Sequence, residues 1–308
     1  MSIKVTIVFL FQTAFRSAGG KIDADPFIKK SSTFAGMNSN NSIFLSTPDF
    51  QGRREAADEL LVRITEHSFS YAVIGEGGEL LKALFDRPEC SDGAADALSA
   101  LANDPVFALP FARVVVAAQT DNIIFVPPAL LADDPTAYAK YFRFTDGEAL
   151  HSHHEDVFNT VFTVPAKVER FVNQLEAAEL LPLASPALKM TRHLQHHALL
   201  LDFTPRHVSF LYHKDGLPVF FQTYEVEGPE ELNYYLLLLI DSLDLAPETV
   251  VYLCGIVHED DAAWSCVGKY FVNRHFFLPE QSGIDLDLLN ELPAQYYSTL
   301  LAQRLCGS

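Results

Sequence analysis

The pattern of apolar residues over positions 198–276 constrains the fold more than any other feature of this chain. Three consecutive strands are predicted in ALLLDFT, HVSFLYHKDG and LPVFFQTYEV, with Asp215-Gly216 as a typical hairpin turn between the second and the third. A helix in PEELNYYLLLLIDSL, an apolar strand in TVVYLCG, a helix in EDDAAWSCVGKYF and a strand in NRHFFLP follow. The predicted order is therefore β-β-β-α-β-α-β.

The preceding part of the chain predicts the same order with an interruption. From Glu59, the sequence LLVRITEHSFSYAVIGEGGELLKALFD indicates a meander of three strands, and DGAADALSALANDPVF indicates an Ala-rich helix. Strands are predicted in RVVVAAQT, NIIFVP, FNTVFTVP and LLPLAS, and an amphipathic helix in AKVERFVNQLEAAEL. An insertion-like stretch near residues 127–156 separates the later elements.

Three antiparallel strands followed by two helix-linked parallel strands form the ribonuclease H-like plan, and two such units in tandem form the actin-like ATPase fold. We therefore predict an α/β protein with tandem ribonuclease H-like lobes, residues 59–195 and 196–308, the second carrying a C-terminal helix. Much of the segment 1–58 is rich in Ser, Asn, Gly and Lys without periodicity. We predict that 1–58 is a disordered extension, or that its first part, before Met37, is an over-extended reading frame.

Composition limits the partners that this chain can have. Its 308 residues include 22 Lys and Arg against 40 Asp and Glu, which gives a net charge of −18. Such an acidic surface repels phosphates, so nucleic acid and membrane surfaces are disfavoured. The charge indicates nothing more specific, and the partner expected for this chain is an unidentified protein. The four cysteines show no metal-ligand spacing and no disulfide framework, which indicates a reducing cytoplasm.

Several stretches resemble one family. They are LLVRITEHSFSYAVI, IIFVPPALLADDPTAYAKYF, PVFFQTYEVEGPEELNYYLLLLIDSLDLAPETVVYLCG and YYSTLLAQRLC. From about residue 59 to the end, the chain is similar to the bacterial domain-of-unknown-function family 3822, whose members look like degenerate actin-like proteins. The resemblance implies an actin-like fold and a bacterial cytoplasmic setting, and it implies no activity.

The second lobe carries one residue of an actin-like nucleotide site. ATPases of this class place an Asp at the end of each lobe's first strand, followed by a glycine hairpin whose N–H groups approach phosphate. The sequence DFTPRH keeps Asp202, but Phe203, Thr204 and Pro205 stand where glycine is needed. Pro205 also removes one N–H donor.

The first lobe and the adenosine loop depart further from that pattern. The sequence RITEHS has Arg63 and Glu66 and neither the Asp nor the Gly, and YLCGIVHED keeps only Gly255 where a glycine pair is expected. The candidate cleft residues are therefore Asp202, Thr204 and Gly255. In the favoured interpretation, Asp202 is a strand-end residue that caps a turn. No catalytic residue and no cofactor are then predicted. The alternative is that the cleft binds ATP with magnesium.

Two histidine clusters and one glycine-rich loop are further candidates. HSHHED at 151–156 offers zinc or nickel ligands, but it is predicted to be a polar loop, so no metal site is predicted. HLQHH at 193–197 is predicted to span the junction between a helix and a strand. The helix dipole favours His at the C-terminal end of a helix, so these histidines need no functional explanation. GEGGE at 75–79 is predicted to be a hairpin turn, because no helix follows it.

Three functions remain open on the sequence. The leading hypothesis is a non-catalytic, actin-like scaffold or binding module. The runner-up is a nucleotide-binding protein or ATPase that uses the cleft between the lobes, with Asp202 holding magnesium through water. The third is a metal-dependent protein that uses the cluster at 151–156.

Overall fold

The secondary structure of this chain falls into two successive sets of strands and helices. The structure, a computed structural model, describes residues 42–48, 50, 58–144, 147–155, 157–194, 197–279 and 283–306. Its strands are β1 (Ile43–Ser46), β2 (Glu59–Ile64), β3 (Phe69–Ile74), β4 (Leu81–Arg87), β5 (Arg113–Ala118), β6 (Ile123–Val126), β7 (Ala149–His154), β8 (Asn159–Val164), β9 (Glu179–Pro182), β10 (Ala198–Phe203), β11 (His207–Lys214), β12 (Leu217–Glu225), β13 (Val250–Gly255) and β14 (Arg274–Phe276). Its α-helices are α1 (Gly93–Asn103), α2 (Ala166–Val172), α3 (Ala184–Thr191), α4 (Pro229–Leu243), α5 (Ala262–Val267) and α6 (Ser298–Ala302).

Two sheets of these strands follow one topology. The first has the order β1-β4-β3-β2-β5-β9 and the second the order β12-β11-β10-β13-β14. In each, three strands form an antiparallel meander, and the last two strands lie parallel to the first strand of the meander. This is the ribonuclease H-like plan twice over, so the predicted α/β fold of two such lobes is confirmed.

A third sheet interrupts the first lobe. Strands β6, β8 and β7 form an antiparallel sheet in the order β6-β8-β7, inserted between β5 and α2. The sequence predicted an insertion near 127–156, and the inserted sheet uses strands on both sides of that range. Its strand β8 is buried along its whole length, which explains why FNTVFTVP has a strand pattern.

Helix α4 shows why these sequences form helices where they do. Pro229 occupies the first turn, where its missing N–H costs no hydrogen bond. Leu232, Leu236 and Leu239 recur at helical spacing and are buried against the second sheet. The helix ends at Asp244, which adopts a left-handed conformation with φ 51°. Among the described residues, no helix has the length and apolar character needed to cross a membrane.

Each main sheet has two buried faces. One face of the first sheet packs on α1 and α2, and one face of the second packs on α4 and α5. The other two faces are covered by α3, α6 and the chain's last residues. Every residue of α3 and α6 is buried, and the two helices contact each other, so they lie between the lobes.

Part of the segment predicted to be an N-terminal extension belongs to the first sheet. Residues 43–46 form β1, which pairs antiparallel with the outer edge of β4, so the extension predicted over 1–58 is wrong for this strand. Phe50 packs against the core of the same lobe. The sequence did not show this strand because four residues at a sheet edge give too short an alternation to recognise. Residues 1–41 lie outside the described residues.

The C-terminal segment also differs from the prediction, which assigned it to the second lobe. Tyr297, Leu300 and Leu301 are buried in the cluster that covers the first sheet, which also contains Leu61 of β2 and Ile74 of β3. The terminal helix therefore crosses back to the first lobe. An apolar helix pattern predicts that a face is buried but does not identify the surface that buries it.

A pair of substitutions in β1 tests whether this strand belongs to the folded unit. Leu45 is half-buried and packs on the cluster that contains the C-terminal residues, whereas Phe44 on the opposite face is 49% exposed. We expect Leu45→Ala to lower the free energy of unfolding by about 1–2 kcal/mol, less than for a fully buried leucine. Phe44→Ala should cost less, about 0.5 kcal/mol. Equal effects in urea unfolding would show that β1 does not pack on the first lobe.

Candidate functional site

Equivalent positions of the two lobes carry opposite charges. Arg63 and Asp202 are each the last residue but one of the first meander strand, β2 in the first lobe and β10 in the second. Arg63 lies opposite Ser70 of β3, and Asp202 lies opposite Ser209 of β11, so even the neighbouring residue is the same type. The repeated fold thus places a cation and an anion at matching strand ends.

These two side chains form a buried ion pair between the lobes. Nη2 of Arg63 donates a hydrogen bond to Oδ2 of Asp202 at 2.8 Å, and the side chains are only 7% and 4% exposed. A single buried charge costs several kcal/mol, so each residue needs the other. Because the partners lie 139 positions apart in the chain, the pair joins one lobe to the other.

The pair does not fit a magnesium–nucleotide site. A carboxylate at this strand end would have to hold magnesium-bound water, but Oδ2 of Asp202 already accepts a hydrogen bond from the guanidinium of Arg63. Oδ1 lies 2.7 Å from the place where a Cβ on Gly255 would be. The arginine therefore supplies the positive charge that the metal would bring.

Gly255 is required by the packing of β13 against β10. It has φ +76°, and a Cβ there would come within 2.1 Å of the carbonyl oxygen of Phe203. The chain continues with a hydrogen bond from the N–H of Ile256 to that same oxygen at 2.9 Å. This close approach accounts for the glycine without any adenosine contact.

The hydrogen-bond donors of Thr204, in the hairpin after β10, bond within the hairpin itself. The N–H of Thr204 bonds to the carbonyl oxygen of His207 at 2.9 Å, and the Thr204 hydroxyl donates to the same oxygen at 3.1 Å. Pro205 has no N–H to offer. Neither residue leaves a backbone donor for a phosphate group, which is what the glycine hairpin of an ATPase provides.

The hairpin after β2 is closed in a different way. The N–H of Thr65 bonds to the carbonyl oxygen of Ser68 at 3.0 Å. Gly93, the first residue of α1, lies so close that a Cβ on it would be 2.2 Å from the Thr65 oxygen and 2.3 Å from the Ser68 oxygen. The N–H of Gly93 donates to the carbonyl oxygen of Glu66, so the start of α1 covers this loop.

Carboxylates and histidines line the mouth of the cleft. Glu66 lies 3.6 Å from Nε2 of His67 and 3.7 Å from Nε2 of His207, and the two rings stack with centroids 6.4 Å apart. Burial raises the pKa of Asp121, and the charges of Glu66 and Glu148 raise it further, against the lowering effect of His207. This acidic field would repel a polyphosphate.

A cavity of about 250 Å³ opens beside these residues, between the lobes. It is lined by Thr120, Asp121, Ile123, His207, Phe221, Gln222, Thr223 and Glu225. The cavity is small for a nucleotide, since ligand pockets usually measure about 300–1,000 Å³. Two of its lining residues are carboxylates, so its chemistry favours a cationic group.

A second buried carboxyl group lies in the same row of the first sheet as Arg63. Asp86 is a residue of β4 and lies opposite Ser70 of β3. It accepts a hydrogen bond from the hydroxyl of Tyr297 at 3.3 Å. Burial raises the pKa of Asp86 to about 6, although the Arg63 guanidinium and the Tyr297 hydroxyl each lower it. The C-terminal segment is thus connected to the polar seam between the lobes.

The structure brings the three candidate residues of the sequence together but gives them packing roles. Asp202, Thr204 and Gly255 all lie where β10 meets its neighbours at the interlobe seam. Sequence reasoning treated Arg63 only as a missing aspartate and overlooked its contact with Asp202. The signal that could have revealed it is the opposite charge of two residues at equivalent strand positions.

The histidine cluster at 151–156 lies mostly on a strand, so the predicted polar loop is wrong for 151–154. Nε2 of His151 lies 2.8 Å from Glu169, Nδ1 of His154 lies 3.0 Å from Asn159, and burial lowers the pKa of His153. Strand alternation points His151 and His154 to opposite faces. Within the described residues, no group of three His, Cys, Asp or Glu residues could hold a metal ion.

The remaining two motifs have ordinary structural places. GEGGE connects β3 to β4 through a short 3-10 turn at Glu76–Gly78, so its prediction as a strand connection is confirmed. In the 193–197 segment, His197 contacts Asp215 at 3.1 Å. Residues 195 and 196 lie outside the described residues.

Comparisons with known proteins agree with this fold. The sequence profile of a family described as "Protein of unknown function (DUF3822)" matches residues 47–273. A Bacteroides thetaiotaomicron protein with an actin-like ATPase fold and unknown function is similar with TM-score 0.66 and 13% identity, over 80% of this chain and 100% of that chain. The PilM-PilN type IV pilus biogenesis complex is similar with TM-score 0.57 and 17% identity, over 82% of this chain and 98% of that chain. A search of curated proteins finds no match.

Breaking the ion pair tests its energetic importance. Arg63→Met or Asp202→Leu should each lower the free energy of unfolding by about 3–5 kcal/mol, because one buried charge is left alone. The double variant should regain most of that loss. As a control, Lys167→Ala removes the exposed partner of Asp92 and should cost less than about 1 kcal/mol. If the single variants cost no more than this control in urea unfolding, the pair is not a buried link.

Asp86 should make stability depend on pH in an unusual direction. With a pKa of about 6 in the folded protein and about 4 in the unfolded chain, its proton stabilises the fold below pH 4. That stability, on the order of 3 kcal/mol, is lost as the pH rises through 6. Relative to wild type, Asp86→Asn should therefore gain stability between pH 4 and pH 7.

Asp134→Asn is the control of opposite sign. The hydroxyl of Thr136 lowers the pKa of the exposed Asp134, so its contribution to stability is lost as the pH falls. Urea unfolding at several pH values measures both variants. If the free energy of unfolding of Asp86→Asn differed from that of the wild type by the same amount at every pH, the raised pKa of Asp86 would be contradicted.

Proposed function

The chain belongs to the DUF3822 family of proteins of unknown function, and from its closed cleft we propose that it is a non-catalytic, actin-like binding module for another protein. The observation that carries this proposal is the buried ion pair between Arg63 and Asp202. In an ATPase of this fold, the nucleotide and its metal complete the charges between the lobes. Here the chain completes them with its own arginine, so the lobes need no ligand to be held together.

The surroundings of the pair support the same interpretation. A bound phosphate would need several backbone donors, but the hairpin at Thr204 uses its own and Pro205 has none. It would also enter an acidic field in which Glu66, Asp121 and Glu225 lie close to the cleft. Both effects weaken nucleotide binding and leave the fold itself intact.

A protein partner fits the surface of the second lobe. Large apolar side chains exposed there include Leu217, Val219, Tyr234, Leu237 and Leu238. Exposed apolar groups of this kind mark places where proteins meet when they form a patch. The similar PilM-PilN structure is itself a complex in type IV pilus biogenesis, and by analogy we assign a partner protein to this chain.

The proposed setting is the bacterial cytoplasm. All four cysteines are free, and Cys254, Cys266 and Cys306 are buried where they act as small apolar side chains. Free thiols are typical of proteins in reducing compartments. No step of catalysis is assigned to any of them.

Calorimetric titration with ATP and magnesium tests the proposal. We expect no saturable binding below millimolar ATP, which corresponds to at most about 4 kcal/mol of binding free energy. The same result is expected for Asp202→Asn once its fold has been checked by circular dichroism. Asp134→Asn, which removes a carboxylate of the insertion, is the matched control.

Micromolar, magnesium-dependent ATP binding that Asp202→Asn abolishes and Asp134→Asn leaves unchanged would contradict the proposal. It would favour instead a nucleotide-binding protein or ATPase with its site between the lobes. A hydrolysis assay on the wild-type protein would then separate these two.

A further inference from the structure

The outer strand of each meander occupies an equivalent place in its lobe. In the first sheet the row through Arg63 and Ser70 reaches Asp86 on β4, and in the second the row through Asp202 and Ser209 reaches Thr223 on β12. Both meanders also shift register at the same point, after Val73 in one lobe and after Tyr212 in the other. Strand β12 is therefore the counterpart of β4, residue by residue.

The two counterparts differ in what lies beside them. Strand β1 pairs antiparallel with β4 and satisfies its outer backbone groups. No strand within the described residues pairs with the outer side of β12, which forms one edge of its sheet. An unpaired edge presents a row of N–H and C=O groups to which another extended segment can bond.

The position of β1 defines where such a segment would lie. Ile43 lies opposite Asp86, and Ser46 lies opposite Ala83. The register of the second sheet makes Thr223 of β12 the counterpart of Asp86, and Phe220 of β12 the counterpart of Ala83. A docked strand running antiparallel to β12 would thus pair with Phe220–Thr223.

The transferred register also shows where the side chains of that strand would point. Residues directly opposite each other on neighbouring strands point to the same face of the sheet. The counterparts of Ile43 and Leu45 would lie beside Thr223 and Phe221, and both of these line the cavity of about 250 Å³ between the lobes. Two side chains of the docked strand would therefore meet the cavity.

The charge of the cavity selects the chemistry of the segment. Asp121 and Glu225 are carboxylates of its lining, and His207 is the one basic residue among the described residues that line it. A basic side chain beside Thr223 would lie near these carboxylates, whereas a second copy of a chain with a net charge of −18 would be repelled.

We propose that the outer edge of β12 is a docking site for an extended segment of a partner protein, paired antiparallel with Phe220–Thr223. The segment places a basic side chain beside Thr223 and an apolar one beside Phe221. This assignment rests on the proposed function, since it names the surface through which the binding module holds its partner.

A synthetic peptide that copies β1 tests the site on the full chain. It has the sequence of residues 42–48 with Ile43→Lys, and its matched control carries Ile43→Glu. Fluorescence anisotropy should show about tenfold tighter binding of the lysine peptide. Hydrogen exchange should show that this peptide protects amides within Phe220–Thr223.

Substitutions in the protein locate the charge effect. Asp121→Asn and Glu225→Gln should each weaken binding of the lysine peptide by about threefold to tenfold, because they remove carboxylates from the cavity. Glu230→Gln makes the same change of charge on exposed α4, outside the cavity lining, and should leave binding unchanged. Thermal melting of each variant confirms that it is folded.

Several outcomes would overturn the docking site. They are no binding at millimolar peptide, binding without protection of β12, and equal binding of the lysine and glutamate peptides. A wild-type dimer with protected β12 amides would assign the edge to a second copy. Peptide binding that appears only when residues 1–36 are removed would assign it to the chain itself. If the peptide fails and ATP also fails to bind, this site is wrong while the proposed closed-cleft module stands.

Discussion

The ion pair between Arg63 and Asp202 is the contact on which the arrangement of the two lobes depends. A buried ion pair contributes little net stability, because taking two charges out of water costs about as much as their attraction returns. Separating the lobes at this point without exposing the two side chains to water would leave each buried charge without its partner. The geometry around it is correspondingly tight, since Gly255 can have no side chain where β13 passes Asp202.

In the function proposed above, the pair takes the place that a nucleotide has in an actin-like ATPase. The scaffold is symmetric, with serines at the matching positions 70 and 209 beside the two charged residues. An ATPase of this fold has a carboxylate at this position in both lobes. This chain has Arg63 there in the first lobe and Asp202 in the second. A single replacement of this kind removes a ligand and supplies a counter-ion at once. Fold and activity are separable because the sheets specify the fold and the strand ends specify the chemistry.

The polar seam continues from this pair to the end of the chain. Asp86 lies in the same row of the sheet as Arg63, and Tyr297 donates a hydrogen bond to it from the C-terminal segment. Helices α3 and α6 fill the rest of the space between the lobes with wholly buried surfaces. The cleft is thus packed at its base, and the open part is the acidic cavity beside β12. Our proposal assigns the binding of a partner to that cavity and to the edge of β12 next to it, with which no other strand pairs on the outer side among the described residues.

The sequence by itself determined the two ribonuclease H-like units, because alternation in strands, helical spacing in α1 and α4, and the Asp215-Gly216 turn are all local signals. It also located Asp202 and the loss of glycines around it. Only the tertiary structure decided that Arg63 neutralises Asp202, that β1 joins the first sheet, and that the C-terminal helix returns to the first lobe. The physical reason is distance along the chain. Arg63 and Asp202 are 139 positions apart, and Asp86 and Tyr297 are 211 apart, so neither contact leaves a trace in any local pattern.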